Sequence, residues 1–248
     1  MPFKEFREEK EKEQFLIRIL IIEDDPNHLN DFEKLEEKIK KLNLPIIFEK
    51  ARNMKEFREK VKEGYSGALV DVFVPEDEKN PGLLDEFEKI WKWKLRTDYN
   101  LYEYLSRGID EKRVEYEKNH PTELMRRWSF ETDEKKKKEI IEELKEFFSI
   151  ISELKVGEKS IKEELEGISD DFQLIIKFAS FLEKISEEDI NRKIEKKLIE
   201  NTPGIKIGEE LEKKDIPIPY VFVTSFGGHG VKIKGVKDYA WNKGIPVI

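Results

Sequence analysis

Three apolar runs of this 248-residue chain enclose or end in oxygen-bearing side chains. FLIRILII, residues 15–22, stops abruptly at Glu23, Asp24 and Asp25. GALVDVFVP, residues 67–75, carries Asp71 in its middle, and YVFV, residues 220–223, is followed by Thr224 and Ser225. If these runs are parallel strands of one sheet, Glu23, Asp24, Asp71 and Thr224 converge, because functional groups gather at the carboxyl ends of such strands, where strand order reverses. Packed carboxylates repel one another, so the cluster needs a cation or a proton. An oxygen-rich set of this kind suits Mg²⁺, which takes one or two carboxylates and completes its shell with waters and phosphate oxygens. The chemistry expected is that of a metal and phosphoryl site with Asp71 inside it.

The elements that must position these groups are legible in the hydrophobic pattern. The first run reads as a buried parallel strand. Pro26 suits the first turn of a helix capped by Asp25, and Leu29, Phe32, Leu35, Ile39 and Leu42 recur at the spacing of an amphipathic helix. LPIIFEKA gives a second strand. Asn53 caps a helix that buries Met54, Phe57 and Val61 and ends near Gly64. With GALVDVFVP as the third strand, the first 75 residues read β-α-β-α-β, the pattern of an open parallel sheet wound by helices.

From Leu83 to Lys214 the periodicity is helical, with no convincing strand. Trp91, Trp93, Tyr99, Tyr102 and Tyr104 read as the core of a helix or helix pair, an aromatic excess that also suits a protein interface. Thr132 is the expected cap of a helix with Ile140, Ile141, Leu144, Phe147, Phe148, Ile151 and Leu154 as its buried stripe, and Ser169 the cap of the next. KKKK at 135–138 reads as a solvated face. TPG at 202–204 marks a break, after which IPIPYVFVTS resumes strand character and VKIKGVKDYAWNKGIPVI offers a short helix and a terminal strand, GIPVI. The expected organisation is an N-terminal helix or tail over 1–14, an α/β domain over 15–82 and 215–248, and a helical insertion over 83–214.

Composition narrows the function. The net charge is −8 and no basic stripe interleaves with aromatics, which argues against direct nucleic-acid binding. Without cysteine there are no disulfides or thiolate zinc sites, and no apolar run approaches the roughly 20 residues that span a bilayer. The charged N-terminus is unlike a secretory signal, so a soluble cytoplasmic protein is expected. A 41% charged content rich in Lys and Glu is enriched in proteins from hot environments.

In this order and register the residues resemble the receiver domains of bacterial and archaeal two-component response regulators. ILIIEDDP is similar to the family's strand one with its acidic pair, here Glu23 and Asp24. Asp71 falls at the phosphoaccepting position, Phe73 at the position whose backbone carbonyl completes the metal shell, and Pro75 also matches. VFVTS resembles strand four, with Thr224 as the hydroxyl residue and Ser225 as its small neighbour. The resemblance implies a flavodoxin-like doubly wound parallel sheet, here with a helical bundle inserted between strands 3 and 4. It also implies Mg²⁺ and an aspartyl phosphate received from a histidine kinase or phosphotransfer protein. The insertion would then serve as output, binding a protein partner or a second copy. KGVKDYAWNKG is similar to the family's glycine-to-lysine stretch and makes Lys243 the candidate strand-five lysine; with GIPVI as strand five, that lysine is missing.

Two other functions compete. A receiver-like fold without the lysine would be an unphosphorylated scaffold. A Mg²⁺-dependent phosphohydrolase with Asp71 as nucleophile and the helices as a cap is the third, but strand one lacks the DxDx alternation of such enzymes. FGGHG, residues 226–230, with His229, is either a glycine-rich turn or a phosphate contact. His28 and His120 read as isolated surface or packing residues, without metal-ligand spacing.

Overall fold

The computed structural model describes residues 16–62, 64–77, 82–106, 110–214, 217–223 and 234–248. The expected N-terminal helix or tail over 1–14 lies outside them, as do Thr224, Ser225 and the FGGHG stretch with His229. The chain forms two compact units: residues up to Asp85 with Asn201–Ile248, and Glu86–Glu200. Among the described residues no helix is long and apolar enough to cross a membrane.

The first unit is α/β. β1 (Ile17–Ile22), β2 (Ile46–Ala51), β3 (Gly67–Asp71) and a later strand, Tyr220–Val223, form a parallel sheet flanked by helices. Its order is β2, β1, β3, then Tyr220–Val223. Leu20, Ile21, Ile22, Val70 and Phe222 are essentially inaccessible, as expected where a parallel sheet is covered on both faces. Val247 bridges Phe222 in parallel, with Phe222 N–H donating to Pro246 O (3.0 Å) and Ile248 N–H to Phe222 O (2.9 Å). The GIPVI stretch thus pairs with the sheet edge as the terminal-strand reading expects.

Local chemistry fixes the helices. α1 (Pro26–Lys41) begins where the Asp25 carboxylate accepts from the Asn27 amide and Pro26 occupies the first turn. α2 (Met54–Lys60) begins where Asn53 accepts from the Glu56 amide. Leu29 and Ile39 of α1 are buried, whereas Leu35 and Leu42, read as part of the same apolar face, are exposed.

The helical unit contains α3 (Leu83–Thr97), which begins just before it, α4 (Tyr99–Ser106), α5 (Asp110–Asn119), α6 (Pro121–Phe130), α7 (Glu134–Ile150), α8 (Ile161–Leu165), α9 (Asp171–Lys184) and α10 (Glu187–Glu200). Its core is aromatic: Phe148 stacks on Phe178 with ring centroids 4.1 Å apart, and Trp93 packs on Phe147 at 5.1 Å. Two helix caps differ from the expectation. Asp133 rather than Thr132 caps α7, accepting from the Lys135 amide at 2.9 Å, and Asp170 rather than Ser169 caps α9, accepting from the Gln173 amide at 2.8 Å. In both places the carboxylate stands directly before the first helical residue, where its charge also complements the helix dipole. A two-residue hairpin, β4 (Lys155–Val156) with β5 (Lys159–Ser160), turns through Gly157 at φ +76° where no strand was expected.

α11 (Pro203–Glu212) follows the helical unit in sequence but packs on β3 and on β6 (Tyr220–Val223). The sequence reading grouped it with the 83–214 insertion because its periodicity is helical like the rest. Two small residues explain the difference: a Cβ at Gly204 would lie 2.7 Å from Asp71 O, and one at Gly208 would lie 2.6 Å from the Tyr220 hydroxyl. Only glycine lets the helix come this close to the sheet. α12 (Lys234–Lys243) closes the order.

The stacked Phe178 is fully buried, so Phe178→Ala should lower stability by about 3–5 kcal/mol. Phe130 is 77% exposed, and Phe130→Ala should stay within about 0.5 kcal/mol of the parent. Urea denaturation followed by circular dichroism measures both.

Candidate metal centre

The parallel register assembles the acidic groups. β1 and β3 pair with Ile22 opposite Val70, so Glu23 and Asp71 occupy the next positions along adjacent strands. The Glu23 amide donates to Ala51 O (3.0 Å) and keeps the chain in strand geometry for one more residue. Glu23, Asp24 and Asp71 each place a carboxylate oxygen within 4.8 Å of the others. Glu23 and Asp71 are each 4% exposed, while Asp24 is at the solvent-exposed rim. Asp71 is also opposite Val223 in β6, the last described residue before Thr224.

The carboxylates are held mainly by backbone amides. One Asp71 oxygen accepts from Val72 N–H at 2.7 Å. One Glu23 oxygen accepts from Asp25 N–H at 3.0 Å, and the other lies 3.3 Å from His28 Nδ1. Burial pushes the Asp71 carboxyl up to about 7, and the charges of Glu23 and Asp24 add to the rise against the lowering effect of the Val72 and Phe73 amides. Burial also raises Glu23, with the Asp25 amide and His28 opposing it. Asp24 is raised by partial desolvation from the protein beneath it and, more weakly, by the neighbouring Asp25.

Among the described residues no basic side chain forms an ion pair with Asp71. The donor set of two buried carboxylates and a third at the rim therefore fits a hard divalent cation, which would replace the protons that burial otherwise imposes. Phe73, two residues beyond Asp71, is buried at the same edge.

The loop after Asp71 is fastened on both sides. Val72 O accepts from Gly204 N–H at 3.0 Å, Pro75 O from Met54 N–H at 3.0 Å and Glu76 O from Lys55 N–H at 3.0 Å. Arg58 of α2 joins Glu76 of this loop to Glu210 of α11. The amides at the starts of α2 and α11 thus take carbonyls of the segment that carries Asp71.

Lys243 is placed differently from the strand-five expectation. It is the last residue of α12, with its ammonium 2.8 Å from Glu212 and 5.0 Å from the Tyr239 ring centroid. Glu212 also accepts from the Tyr220 hydroxyl at 2.7 Å. Tyr220 opens β6, whereas Val223, opposite Asp71, closes it. The strand pairing falls instead on residues 246–248, since residues 234–243 are helical.

His28 was read as isolated, yet it lies against Glu23 and, at 3.7 Å, Asp25. Its position three residues after the Asp25 cap was the available signal, because that spacing returns a side chain to the helix start. His120 caps α6, with Nδ1 accepting from Thr122 N–H at 3.3 Å, and burial lowers its pKa.

The predicted aromatic cluster divides. Trp91 and Trp93 are buried and Tyr99 and Tyr104 are exposed. A cleft of about 420 Å³ in the helical unit is lined by Trp91, Lys92, Leu95, Arg96, Tyr102 and Tyr116, among others.

Comparison with protein-family models, with curated proteins and with solved structures returns no match.

The elevated Asp71 pKa fixes the sign of its linkage. A carboxyl that ionises near 7 when folded and near 3.8 when unfolded makes the folded state less stable as pH rises between those values, with the full penalty above about 7. Asp71→Asn should therefore stabilise the metal-free protein at pH 8, and this gain should fade by pH 4. Thermal melts of both proteins across that range measure it; equal pH slopes would contradict a buried, raised Asp71.

Proposed function

We propose that this protein is a receiver-like signalling module in which Asp71 accepts a phosphoryl group from a phosphohistidine of a histidine kinase or phosphotransfer protein. The observation that carries this reading is the convergence of Asp71 with Glu23 and Asp24 at the carboxyl ends of adjacent parallel strands. The strand order, with residues 246–248 continuing beyond β6, supports a flavodoxin-like sheet interrupted by the helices of Glu86–Glu200.

In the transfer, an Asp71 oxygen forms a bond to phosphorus as the bond from phosphorus to the partner's imidazole nitrogen breaks. The imidazole leaves with that electron pair and takes up a proton from solvent. Asp71 must be ionised to attack, and its burial opposes this near neutral pH. A bound Mg²⁺ would favour the carboxylate and neutralise charge on the transferred phosphoryl oxygens. Glu23, Asp24 and Asp71 are the side chains to hold it, with the Phe73 carbonyl assigned by family resemblance. The Val72 amide orients Asp71, and the Asp25 amide and His28 orient Glu23. Thr224, next in sequence after the residue opposite Asp71, is the hydroxyl that would follow the phosphoryl group.

The helical unit is the proposed protein-interaction output. Phe130, Phe172 and Ile176 are exposed on it, apolar area of the kind that marks partner surfaces. A second reading, an unphosphorylated receiver-like scaffold, draws support from Lys243, whose ammonium is engaged by Glu212.

Mg²⁺ with beryllofluoride, a phosphoryl mimic, separates the two readings. Ligand at about 100 times its dissociation constant stabilises the folded state by about 2.7 kcal/mol. A competent receiver should show a Mg²⁺-dependent rise in melting temperature that is lost in Asp71→Asn. An unchanged wild-type melt would select the scaffold.

A further inference from the structure

We propose that α11 is the element that senses the state of Asp71 and couples it to the return connection from the helical unit. This inference rests on Asp71 being a cation and phosphoryl site and names the regulation of that site. Its basis is the contact at Gly204. The Gly204 amide donates to Val72 O at 3.0 Å, and a Cβ there would meet Asp71 O at 2.7 Å, Val72 Cα at 2.8 Å and Val72 O at 3.2 Å. All three neighbours are backbone atoms, so no side-chain rotation could relieve the overlap. The start of α11 and the backbone of the Asp71 segment are therefore in direct contact, and displacement of either must be accommodated by the other.

The connection leading into Gly204 is short. α10, the last helix of the helical unit, ends at Glu200, and α11 begins at Pro203, leaving Asn201 and Thr202 between them. Thr202 is 0% exposed, and Pro203 fixes its own φ in the first turn of α11. Gly204, Ile205, Ile207, Gly208 and Leu211 are buried, so this face of the helix packs against protein rather than solvent. Arg58 adds a second tie, linking Glu210 of α11 to Glu76 of the Asp71 loop.

A cation or phosphoryl group at Asp71 pulls on the backbone of residues 71–73. Through Gly204 that pull reaches the start of α11 and the two-residue link to α10. Coupling of this kind is reciprocal: a partner that changes the tension on Asn201 and Thr202 changes the affinity of the Asp71 site by the same factor. Gly204 is a positioning residue, acting on the site through the backbone.

The test uses the full chain, with Mg²⁺ alone and then with beryllofluoride. Calorimetry reports binding, and NMR-detected amide exchange reports Gly204 and Ile205. The expected result is saturable Mg²⁺ binding with exchange at Gly204 and Ile205 slowed by about tenfold or more. Gly204→Ala should weaken Mg²⁺ binding by about 10- to 100-fold, the range for groups that support metal ligands from behind. Binding with unchanged exchange at both amides overturns the coupling and leaves the metal site standing. A folded Gly204→Ala protein with parental Mg²⁺ affinity overturns the positioning role. Absence of any Mg²⁺ binding removes the site reading and this inference with it. If Gly204→Ala does not fold, the wild-type exchange measurement decides.

Discussion

Burial of Asp71 beside Glu23 is the constraint on which the rest of this structure depends. Two carboxylates, each 4% exposed, lie at the ends of adjacent strands with a third at the rim. Like charges at this range are unfavourable in a medium of low polarity, and the protein relieves them only in part. Backbone amides of Asp25, Val72 and Phe73 donate to them, His28 lies against Glu23, and a proton remains on Asp71 up to about pH 7. A surface that kept these groups apart would be simpler to fold. Their convergence at one edge is what supports the proposed metal site there rather than at the cleft in the helical unit. Lys92 and Arg96 there are interspersed with aromatic rings, and Arg96 is already paired with Glu143.

The sheet and its flanking helices fasten the acidic edge through backbone hydrogen bonds. Parallel pairing sets Glu23 and Asp71 in adjacent rows, and the amides that start α2 and α11 take the carbonyls that follow Asp71. Close approach of α11 is possible because Gly204 and Gly208 have no side chains. The helical unit leaves the chain after the Asp71 loop and returns just before α11, so both of its covalent connections join the segments that frame the acidic edge.

The helical unit is stabilised by a different principle. Its core is a cluster of stacked and tilted aromatic rings, supplemented by lysines whose charges are balanced. Lys94 is buried between Asp98 and Glu195, each 2.9 Å away, and Lys193 is joined to Glu153. Buried ammonium groups of this kind are costly to leave unpaired, and these carboxylates supply their partners.

The order of strands and helices in the first 75 residues was legible because apolar runs, Asp25 and Asn53 each act within a few residues of their own position. The acidic pair and Asp71 were legible for the same reason: a carboxylate set against a buried run stands out in composition alone. His28 was missed because its contact with Glu23 depends on how α1 leaves the strand. Lys243 was a candidate only by family resemblance; the other reading, a short helix followed by GIPVI as the terminal strand, matches the helix over Lys234–Lys243 and the pairing of residues 246–248 with Phe222. α11 was grouped with the helices of 83–214 because periodicity reports that a helix forms and which face is apolar, never what that face meets. The sequence by itself determined the first three strands, the helices between them with their Asp25 and Asn53 caps, and the positions of the acidic residues, since these follow from short-range propensity and burial. Only the tertiary structure decided the strand register, the pairing of Lys243 and the contact of Gly204 with the Asp71 backbone, because each joins residues far apart in the chain through packing that no local pattern encodes.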